Sequence, residues 1–585
     1  MSRISSESVI DPKACILPLP EASFVPFDVQ KLAHPHIEWV NSLIGDSELF
    51  NSNDFGYCVP IMGDEPRMYL PVFKKYSAER YGGDGIGSNG GGARCGLASG
   101  VQVKGIGANL LVGTVTDYWH SHGGAALEEG VQEAIWAEVC HIALPYGAAR
   151  VHSLISTGTM TPYRCFLGDS ITRRALIIRE PALRPAHYMR AIFHHPNQEM
   201  RQRYSNDVFR TKTAVGAITD GLAAAFGARQ GKQSDADYIN QCLREMCERF
   251  ACQAATARAK RIMHGTLNAS NICLDGRWID FGTISTLSDY GRIKLGRNQQ
   301  SDLWLQHLSL LGPISDLIFY LRKYLPLHIA KSILHAKDFS DVYLNKYNDR
   351  LMIETLKLIG VREVHFSEIE KNHLHRLYVC MQKIILTGNK EPFKLDYPGD
   401  WEMPVVTGKY HLNTILVYAA FCIDEESTFT SLATILSDID LREEFVSAYW
   451  AVKEAFLAGL EPTARANALV FTALNALRLN TSFPELYRTN FEATLKSVVS
   501  EGGNLEEYIE KLLRKARMLL SEPHDEMIDL SLWFTSTVEV SEHIGILSNA
   551  SPTTLNNLLD IIQEEVFTPE QAKLAKIYAE YITSL

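Results

Sequence analysis

Two side chains near the middle of the chain carry the oxygen ligands that a magnesium site requires. Asn271 ends the segment HGTLNASN, and Asp280 begins an Asp-Phe-Gly tripeptide nine residues later. The turn sequence Asp-Gly-Arg at 275–277 lies between them and favours two short strands joined by a hairpin. Magnesium prefers hard oxygen ligands, so an amide and a carboxylate at this spacing predict a metal site. The alternative interpretation is a chance Asp-Phe-Gly at the end of an unrelated strand.

The spacing of this segment is that of the metal-binding loops of protein kinases. His264 and Asn271 are seven residues apart, as are the first histidine and the last asparagine of the kinase catalytic loop. Kinases also require a strand lysine that pairs with a helical glutamate. Lys104 lies in the strand-like segment GVQVKGIG, and Glu133 lies in the helix predicted next. The order of these elements, rather than any one of them, predicts a nucleotide-using phosphoryl-transfer site.

Both members of this pair also have structural interpretations. Lys104 has the alternative role of a solubility lysine on an edge strand. Glu133 has the alternative role of a solvated helix position, because the helical period places it away from the apolar stripe. Glu129 and Glu138 are therefore further candidates for the partner of the lysine.

Glycines and arginines near these elements are candidates for binding phosphate groups. The run GGDGIGSNGGGARCG at 82–96 includes Gly91 and Gly92, whose backbone amides are suited to approach a phosphate. A flexible surface loop is the structural alternative. Arginine binds phosphate in a bidentate manner. Three arginines lie at or after the end of the predicted strand RRALII: Arg179, Arg184 and Arg190. Their alternative role is to form surface ion pairs. The histidine-containing segments LAHPHIE, WHSHGG and FHHPN lack the spacing of metal motifs and are predicted to be structural.

The surrounding sequence predicts an α+β protein with two lobes and a helical extension. Short strands are predicted around the glycine-rich turn, followed by a helix at 123–144 and two further strands. Beyond residue 300 almost every segment has the helical period. These patterns divide the chain into an irregular N-terminal extension at 1–65, an N-lobe at 66–190, a C-lobe with the catalytic loop at 191–311 and a helical region at 312–585.

Composition and charge restrict the classes of function. The chain has 585 residues, of which 46% are hydrophobic and 21% charged, and its net charge is −11. This acidic balance disfavours nucleic-acid binding, which depends on lysine and arginine. No apolar run approaches the roughly 20 residues of a membrane span, and the N-terminus lacks the pattern of a secretory signal. Eleven dispersed cysteines without a CxxC pair are typical of reduced thiols, so a cytoplasmic protein is expected.

Together these motifs resemble the selenoprotein O-type (YdiU-like) adenylyltransferases, which have a protein-kinase-like fold. The resemblance rests on GGGARCG, QVKGIGANLL, GGAALEEGVQEAIWAEVCHIAL, REPALRPAHYMRAIF and HGTLNASN…DFGT, and it covers roughly residues 70–311. It implies a two-lobed kinase-like fold that binds Mg²⁺ and ATP and transfers AMP rather than phosphate to a peptide or protein substrate.

The resemblance also implies roles for individual residues. Lys104 holds phosphates and pairs with Glu133, which matches the helical glutamate of the family. Asn271 and Asp280 bind the metal. The glycine-rich turn and nearby arginines hold the triphosphate. Arg94 matches the turn arginine of the family. Its phosphate-binding arginines are matched by Arg179 or Arg184, together with Arg190.

One position departs from the family pattern. The family has an aspartate base immediately before the metal-binding asparagine, and this chain has Ser270 there. Thr266 occupies the position of the kinase base. Without a carboxylate at either position, the chain is catalytically weak or acts on a nucleophile that needs no base. A carboxylate is such a nucleophile, because it is already ionised at neutral pH.

The overall layout also resembles the MchC-like maturation proteins of siderophore-microcin gene clusters. In those systems a partner acyltransferase-like subunit and ATP join a siderophore to the C-terminal carboxylate of a peptide. This resemblance implies AMP transfer to the C-terminal carboxylate of a microcin precursor. Two alternatives stay open: a catalytically weak pseudokinase that acts as an ATP-binding scaffold, and a conventional kinase that transfers the γ-phosphate.

Overall fold

The computed structural model of the chain describes most of its residues, in several segments. The described segments are 17–44, 52–85, 87–165, 168–290, 293–295, 303–388, 393–395, 410–521, 539–540 and 547–548. Residues 1–16 of the predicted N-terminal extension and most of the last part of the predicted helical region lie outside them.

The protein is a mixed α+β structure built around one large antiparallel sheet. The strands follow the order β2-β8-β9-β6-β5-β4-β1-β3, and β7 pairs with β9. The strands of this sheet are β1 (Phe24–Leu32), β2 (His36–Val40), β3 (Tyr57–Cys58), β4 (Tyr69–Glu79), β5 (Cys95–Ala98), β6 (Val101–Lys104), β7 (Ala125–Ala126), β8 (Val151–Cys165) and β9 (Gly168–Arg179).

Helices make up most of the remaining described structure. They are α1 (Ser52–Phe55), α2 (Tyr118–Ser121), α3 (Leu127–Ala143), α4 (Gln198–Tyr204), α5 (Asp207–Gly216), α6 (Ile218–Phe226), α7 (Asp235–Ala259), α8 (Leu311–Tyr324), α9 (Leu327–Ala330), α10 (Ala336–Lys357), α11 (Lys371–Gly388), α12 (Leu412–Ala420), α13 (Glu425–Ser431), α14 (Ile439–Leu457), α15 (Pro462–Asn480), α16 (Arg488–Ser500) and α17 (Leu505–Leu520). Short 3-10 helices lie at Glu21–Ser23, Pro66–Met68, Pro185–Tyr188, Gln306–Leu310, Glu363–Glu368 and Pro484–Leu486.

Short strand pairs lie outside the large sheet. Two of the pairs are antiparallel, β10 (Ile262–Met263) with β11 (Ser285–Thr286) and β14 (Glu539–Val540) with β15 (Leu547–Ser548). The third is parallel, β12 (Ile293–Leu295) with β13 (Phe393–Leu395).

Residues 24–40 form two strands of the large sheet instead of the irregular extension that the sequence predicts. In β1 the side chains of Val25, Phe27 and Val29 are buried, and the positions between them are exposed. This alternation is the pattern of a strand with one face on the core. Pro26 interrupts the pattern in the sequence, but in the structure it pairs with Ser77 of β4 in continuous register.

The predicted helix at 123–144 is present as α3, and it packs across the sheet. Its first turn carries Glu128 and Glu129, whose negative charges stabilise the helix because its N-terminus is the positive end of the helix dipole. Nearly all of its side chains are buried. A Cβ at Gly130 would lie 3.0 Å from Leu154 of β8, so the glycine permits close approach of helix and sheet. The strands predicted before and after this helix are also present, as β4, β6, β8 and β9.

The helical region packs directly on α3. The rings of Trp136 in α3 and Phe491 in α16 meet edge to face, with centroids 6.5 Å apart. Lys260, at the end of α7, donates to the carbonyls of Ala143 and Leu520 at 2.8 and 2.6 Å, and so ties α3 to α17. One apolar core therefore runs from the sheet through α3 to the C-terminal helices.

Among the described residues, no helix combines the length and the apolar character needed to cross a membrane.

Candidate functional site

Lys104, the last residue of β6, lies at the centre of a buried cluster of charges. Its side chain is only 2% exposed, and its Nζ donates to the carboxylate of Glu133 on α3. The same Nζ lies 3.1 Å from Glu129 and 3.3 Å from Asp280. The structure thus brings together the lysine, the helical glutamate and the Asp-Phe-Gly aspartate that the sequence singles out.

The three candidate glutamates of α3 have different partners. Glu133 also accepts from Nη1 of Arg179 at 2.8 Å. Glu129 binds Arg94 in a bidentate manner, at 2.6 and 3.0 Å, and contacts Lys104 less closely. Glu138 bonds with Arg150 and Asn41 instead, which excludes it as the partner of the lysine.

These contacts hold Lys104, Asp280 and Glu129 in their ionised forms. Burial disfavours the charge on Lys104, but Asp280 and Glu133 outweigh that effect and raise its pKa. Burial also disfavours the charge on Asp280, yet Lys104 and Arg94 lower its pKa well below the ordinary range. Glu129 is buried too, and Arg94 and Lys104 lower its pKa to about 2.

Asn271 and Asp280, the metal ligands predicted from the sequence, lie in adjacent loop segments. The backbone N–H of Ile279 donates to the carbonyl of Asn271 at 3.2 Å, which joins the two segments next to Asp280. The predicted strand–turn–strand between them is reduced to a single bridge between Ile272 and Trp278. Asn271 and Asp280 both line the same two cavities.

Backbone geometry and hydrogen bonds fix both metal-ligand candidates. Asp280 has a positive φ of 68°, a conformation that non-glycine residues rarely adopt and that often marks functional sites. Its side chain is 41% exposed, although Lys104 contacts its Oδ1. Nδ2 of Asn271 donates to the carbonyl of Thr266 at 2.9 Å, so its Oδ1 is the atom suited to a metal.

His264 supports this loop from beneath. It is fully buried, and its Nε2 donates to the carbonyl of Ile279 at 3.2 Å. Its ring meets Trp278 edge to face and also contacts Phe281. Burial lowers the pKa of His264 to about 4, so the ring is neutral at physiological pH and acts as a structural support.

Arg184 is the arginine best suited to an anionic ligand. It lines the smaller cavity and is only 4% exposed, and its Nη1 donates to the carbonyl of Ser270 at 2.9 Å. Its Nε and Nη2 are buried without a hydrogen-bond partner in the described part of the chain. A buried arginine with free donors fits a phosphate oxygen, because such donors are costly to leave unsatisfied.

The other predicted arginines have different environments. Arg179 donates to Gln102 and Glu133 at 2.8 Å each, and it lines the smaller cavity. Arg94 lines both cavities. Arg190 lies apart from the other arginines. It is not among the residues that line these two cavities, and its Nε lies 3.9 Å from Asp207 in the acidic first turn of α5.

The glycine-rich turn forms one wall of the smaller cavity. Gly91 has a φ of 138°, and a Cβ there would lie 2.2 Å from the carbonyl oxygen of Glu79. Gly92 donates its N–H to the same carbonyl at 2.8 Å. The glycines therefore let the turn pack against β4, and the amide of Gly92 is already used within the protein.

Two cavities meet at this cluster. The smaller has a volume of about 440 Å³ and is bounded by the glycine-rich turn, Lys104 and the buried arginines. The larger has a volume of about 950 Å³ and is lined by α2, the β8–β9 hairpin and α16. They share five lining residues: Gly85, Arg94, His120, Asn271 and Asp280.

No carboxylate replaces the missing base in the loop itself. Oγ of Ser270 donates to Asn268 at 2.7 Å. The hydroxyl of Thr266 pairs with that of Thr283 at 2.8 Å. Neither hydroxyl is ionised near neutral pH, so neither accepts a proton as a carboxylate does.

The residues present fit Mg²⁺ and ATP on chemical grounds. Asn271 and Asp280 supply oxygen ligands, as magnesium requires. Arg184 supplies unpaired buried donors, and Lys104 supplies a positive charge at the same cavity. Tyr81, which accepts from Arg184 at 3.2 Å, carries no motif that singles it out in the sequence. Asp117 and His120 also line the smaller cavity, although the histidines of WHSHGG are predicted to be structural.

No protein-family model and no curated protein matches this chain.

Proposed function

We propose that this chain is an Mg²⁺- and ATP-dependent nucleotidyltransferase that transfers AMP to a protein or peptide group. The proposed architecture is the two-lobed kinase-like fold of the selenoprotein O-type enzymes, which the order of motifs resembles. One observation carries the proposal: Nζ of Lys104 contacts both Glu133 and Asp280, and Asp280 shares both cavities with Asn271.

In the proposed reaction the chain binds the triphosphate and aligns it. Lys104, held by Glu133, and Arg184 bind phosphate oxygens in the smaller cavity. Asn271 and Asp280 hold the metal, which neutralises phosphate charge when it is bound. Catalysis then depends on positioning and on preorganised charge, as in other phosphoryl-transfer sites.

The larger cavity is the proposed chamber for the acceptor. An acceptor must approach the phosphorus from the side opposite to the leaving group. A second cavity that meets the first at Asn271 and Asp280 supplies such an approach. A peptide carboxylate, delivered with an acyltransferase-like partner as in siderophore-microcin maturation, is the acceptor that needs no base.

Product analysis tests the proposed function without knowledge of the acceptor. The full chain is incubated with Mg²⁺ and ATP labelled at the α- or the γ-phosphate. We expect slow formation of AMP and pyrophosphate, and a rise in Tm with Mg²⁺ and ATP because a ligand bound to the native state stabilises it. Asp280→Asn should lose both effects, and Asp28→Asn, at an exposed ion pair on β1, should keep them.

The alternatives give different products in the same experiment. Formation of ADP, with label transferred only from the γ-phosphate, would establish a conventional kinase. A rise in Tm without either product would establish an ATP-binding scaffold. If Mg²⁺ and ATP cause no rise in Tm and no nucleotide product forms, the nucleotide site itself is refuted.

A further inference from the structure

A histidine–aspartate pair lies where the two cavities meet. Asp117 caps the short helix α2, where its Oδ1 accepts the N–H of Trp119 at 2.9 Å. Its Oδ2 bonds with Nδ1 of His120 at 2.7 Å. Asp117 lines the smaller cavity and His120 lines both, so the ring lies at the junction rather than on an unrelated surface.

The geometry leaves one nitrogen of this ring available. Burial opposes ionisation of Asp117, but hydrogen bonds from the His120 side chain and from the backbone N–H groups of Trp119 and His120 outweigh it and lower the pKa of Asp117. The ionised carboxylate only accepts, so Nδ1 carries the proton and Nε2 of the neutral ring is an acceptor. Within the described residues, the bond to Asp117 is the only hydrogen bond of the His120 ring.

The other carboxylates at the larger cavity are already paired or placed elsewhere. Glu129 is bound by Arg94 and Lys104, and Asp280 is bound by Lys104. Glu492 pairs with Arg488 at 2.9 Å on α16. Asp84 lines the larger cavity but not the smaller one, where the phosphates are proposed to bind. His120 is thus the proton acceptor with access to both chambers.

We infer that His120, oriented by Asp117, is the general base that takes the proton from an acceptor hydroxyl. This inference rests on the proposed function and replaces the base missing at Thr266 and Ser270. It extends the proposed acceptors from a carboxylate, which needs no base, to hydroxyl groups and water. Nε2 takes the hydroxyl proton as the acceptor oxygen bonds to the α-phosphorus. The bond from that phosphorus to the bridging oxygen breaks, pyrophosphate leaves with the electron pair, and the imidazolium returns its proton to solvent.

Several charged groups surround this ring. Asp117 caps its helix and bonds with Nδ1 of the ring. Arg94 and Asp280 face the same two cavities from the glycine-rich turn and the metal loop. Arg164, from the β8–β9 hairpin, stacks on Trp119 with its guanidinium 4.3 Å from the ring centroid, and His122 lines the larger cavity.

The rate of AMP formation against pH tests the inference, with water as the acceptor. In the wild-type chain the rate should fall toward acidic pH, because a protonated base cannot accept a proton. His120→Gln should lower kcat by at least about 100-fold and abolish this acidic limb, since general-base catalysis contributes roughly 10²–10⁴. The KM for Mg·ATP and the nucleotide-induced rise in Tm should be unchanged.

A second variant and a matched control separate catalysis from folding. Asp117→Asn keeps a side-chain oxygen to cap α2 but removes the charge beside the ring. It should lower kcat while the KM for Mg·ATP and the nucleotide-induced rise in Tm stay unchanged, because the ring loses the carboxylate that keeps the proton on Nδ1. His373→Gln removes an exposed histidine that pairs with Glu370 on α11 and should behave as wild type.

The outcomes distinguish failure of the inference from failure of the proposed function. If His120→Gln turns over ATP at the wild-type rate, or if Asp84→Asn instead abolishes the acidic limb, His120 is not the base and the nucleotide site stands. A peptide whose only nucleophile is its carboxylate should accept AMP equally well in wild type and His120→Gln, because it has no proton for the base to take. A comparable loss of this transfer in the variant would show that His120 does not act as a general base. If the wild-type chain forms no AMP, both proposals fail together.

Discussion

At the scale of single residues, the site depends on Lys104 and the groups that hold it. Lys104, Arg94 and Arg179 supply three positive charges, which face the carboxylates of Glu129, Glu133 and Asp280. Arg184 adds a further cation that no carboxylate pairs within salt-bridge distance among the described residues. The smaller cavity is therefore preset for an anion.

Substitution of Glu133 tests how much the fold depends on this cluster. Glu133→Gln keeps the shape but removes the charge that Lys104 and Arg179 share. Breaking one partner of a buried ion pair costs about 3–5 kcal/mol, because the remaining charges stay buried. We expect a lower midpoint of urea unfolding by circular dichroism and loss of the nucleotide-induced rise in Tm.

The chain offers an exposed pair as the control for this variant. Lys383 and Glu444 lie 2.6 Å apart with side chains 48% and 37% exposed. Exposed pairs contribute about 0–1 kcal/mol, so Glu444→Gln should barely move the midpoint. Equal losses in the two variants would mean that the buried cluster is not the stabilising element.

The sequence predicts the residue types of this site better than their partners. Pairing of Lys104 with Glu133 follows from the order of motifs, but Glu129 and Glu138 are equally suited by period. The helical period cannot separate them, because α3 is buried on nearly every side and each glutamate meets a cation from a different segment. The sequence assigns His120, in WHSHGG, a structural role, because only the fold brings α2 to the junction of the cavities.

At the scale of elements, the glycine-rich turn is shaped by contacts that exclude side chains. Gly91 has a φ of 138°, and a Cβ added there would lie only 2.2 Å from the backbone of Glu79. Gly63 has a φ of 100° but nothing within 4 Å of its Cβ position. Any residue with a side chain would be strained at either position, but only at Gly91 would it also collide with neighbouring backbone atoms.

Alanine at these two positions separates strain from crowding. Gly91→Ala should lower Tm and weaken the nucleotide-induced rise, because the turn must move away from β4. Gly63→Ala should cost about 1–3 kcal/mol, because alanine is strained at this positive φ, and should leave the nucleotide response intact. Thermal unfolding with and without Mg·ATP measures both, and identical responses would show that the turn tolerates displacement.

Elements are predicted from the sequence where the pattern is long and regular. The helix α3 and the strands β4, β6, β8 and β9 follow from their apolar periods. The strands at 24–40 do not, because Pro26 and the short β2 weaken the alternation. The order of the sheet is also beyond the sequence: β6 lies between β5 and β9 although about 65 residues separate β6 from β9 along the chain.

At the scale of the whole molecule, the helical region belongs to the same body as the site. Phe491 packs on Trp136 of α3, one turn from Glu133, and Arg488 lines the larger cavity. The predicted boundary at residue 312 therefore does not separate the helices from the chemistry. The larger cavity is bounded partly by α16, which the sequence assigns only to a helical extension.

Acidification should destabilise the whole molecule before its carboxylates titrate. Burial lowers the pKa of His264, His194 and His307 to about 4, below the ordinary value of 6.5. Between these values the unfolded chain binds protons that the folded chain does not, so stability is present above pH 6.5 and is lost as pH falls toward 4. For the fully buried His264 the loss is on the order of 3 kcal/mol.

Measurement of Tm from neutral pH down to about pH 4 tests this origin of acid sensitivity. His264→Gln should lower Tm at neutral pH, since the ring supports the loop that precedes Asp280. It should also reduce the decrease of Tm with falling pH, because one buried titrating group is gone. His373→Gln, at a histidine with 39% side-chain exposure, should keep the wild-type slope. An unchanged slope in His264→Gln would assign the acid sensitivity to the other buried histidines or to the carboxylate cluster, whose depressed pKa values act only at lower pH.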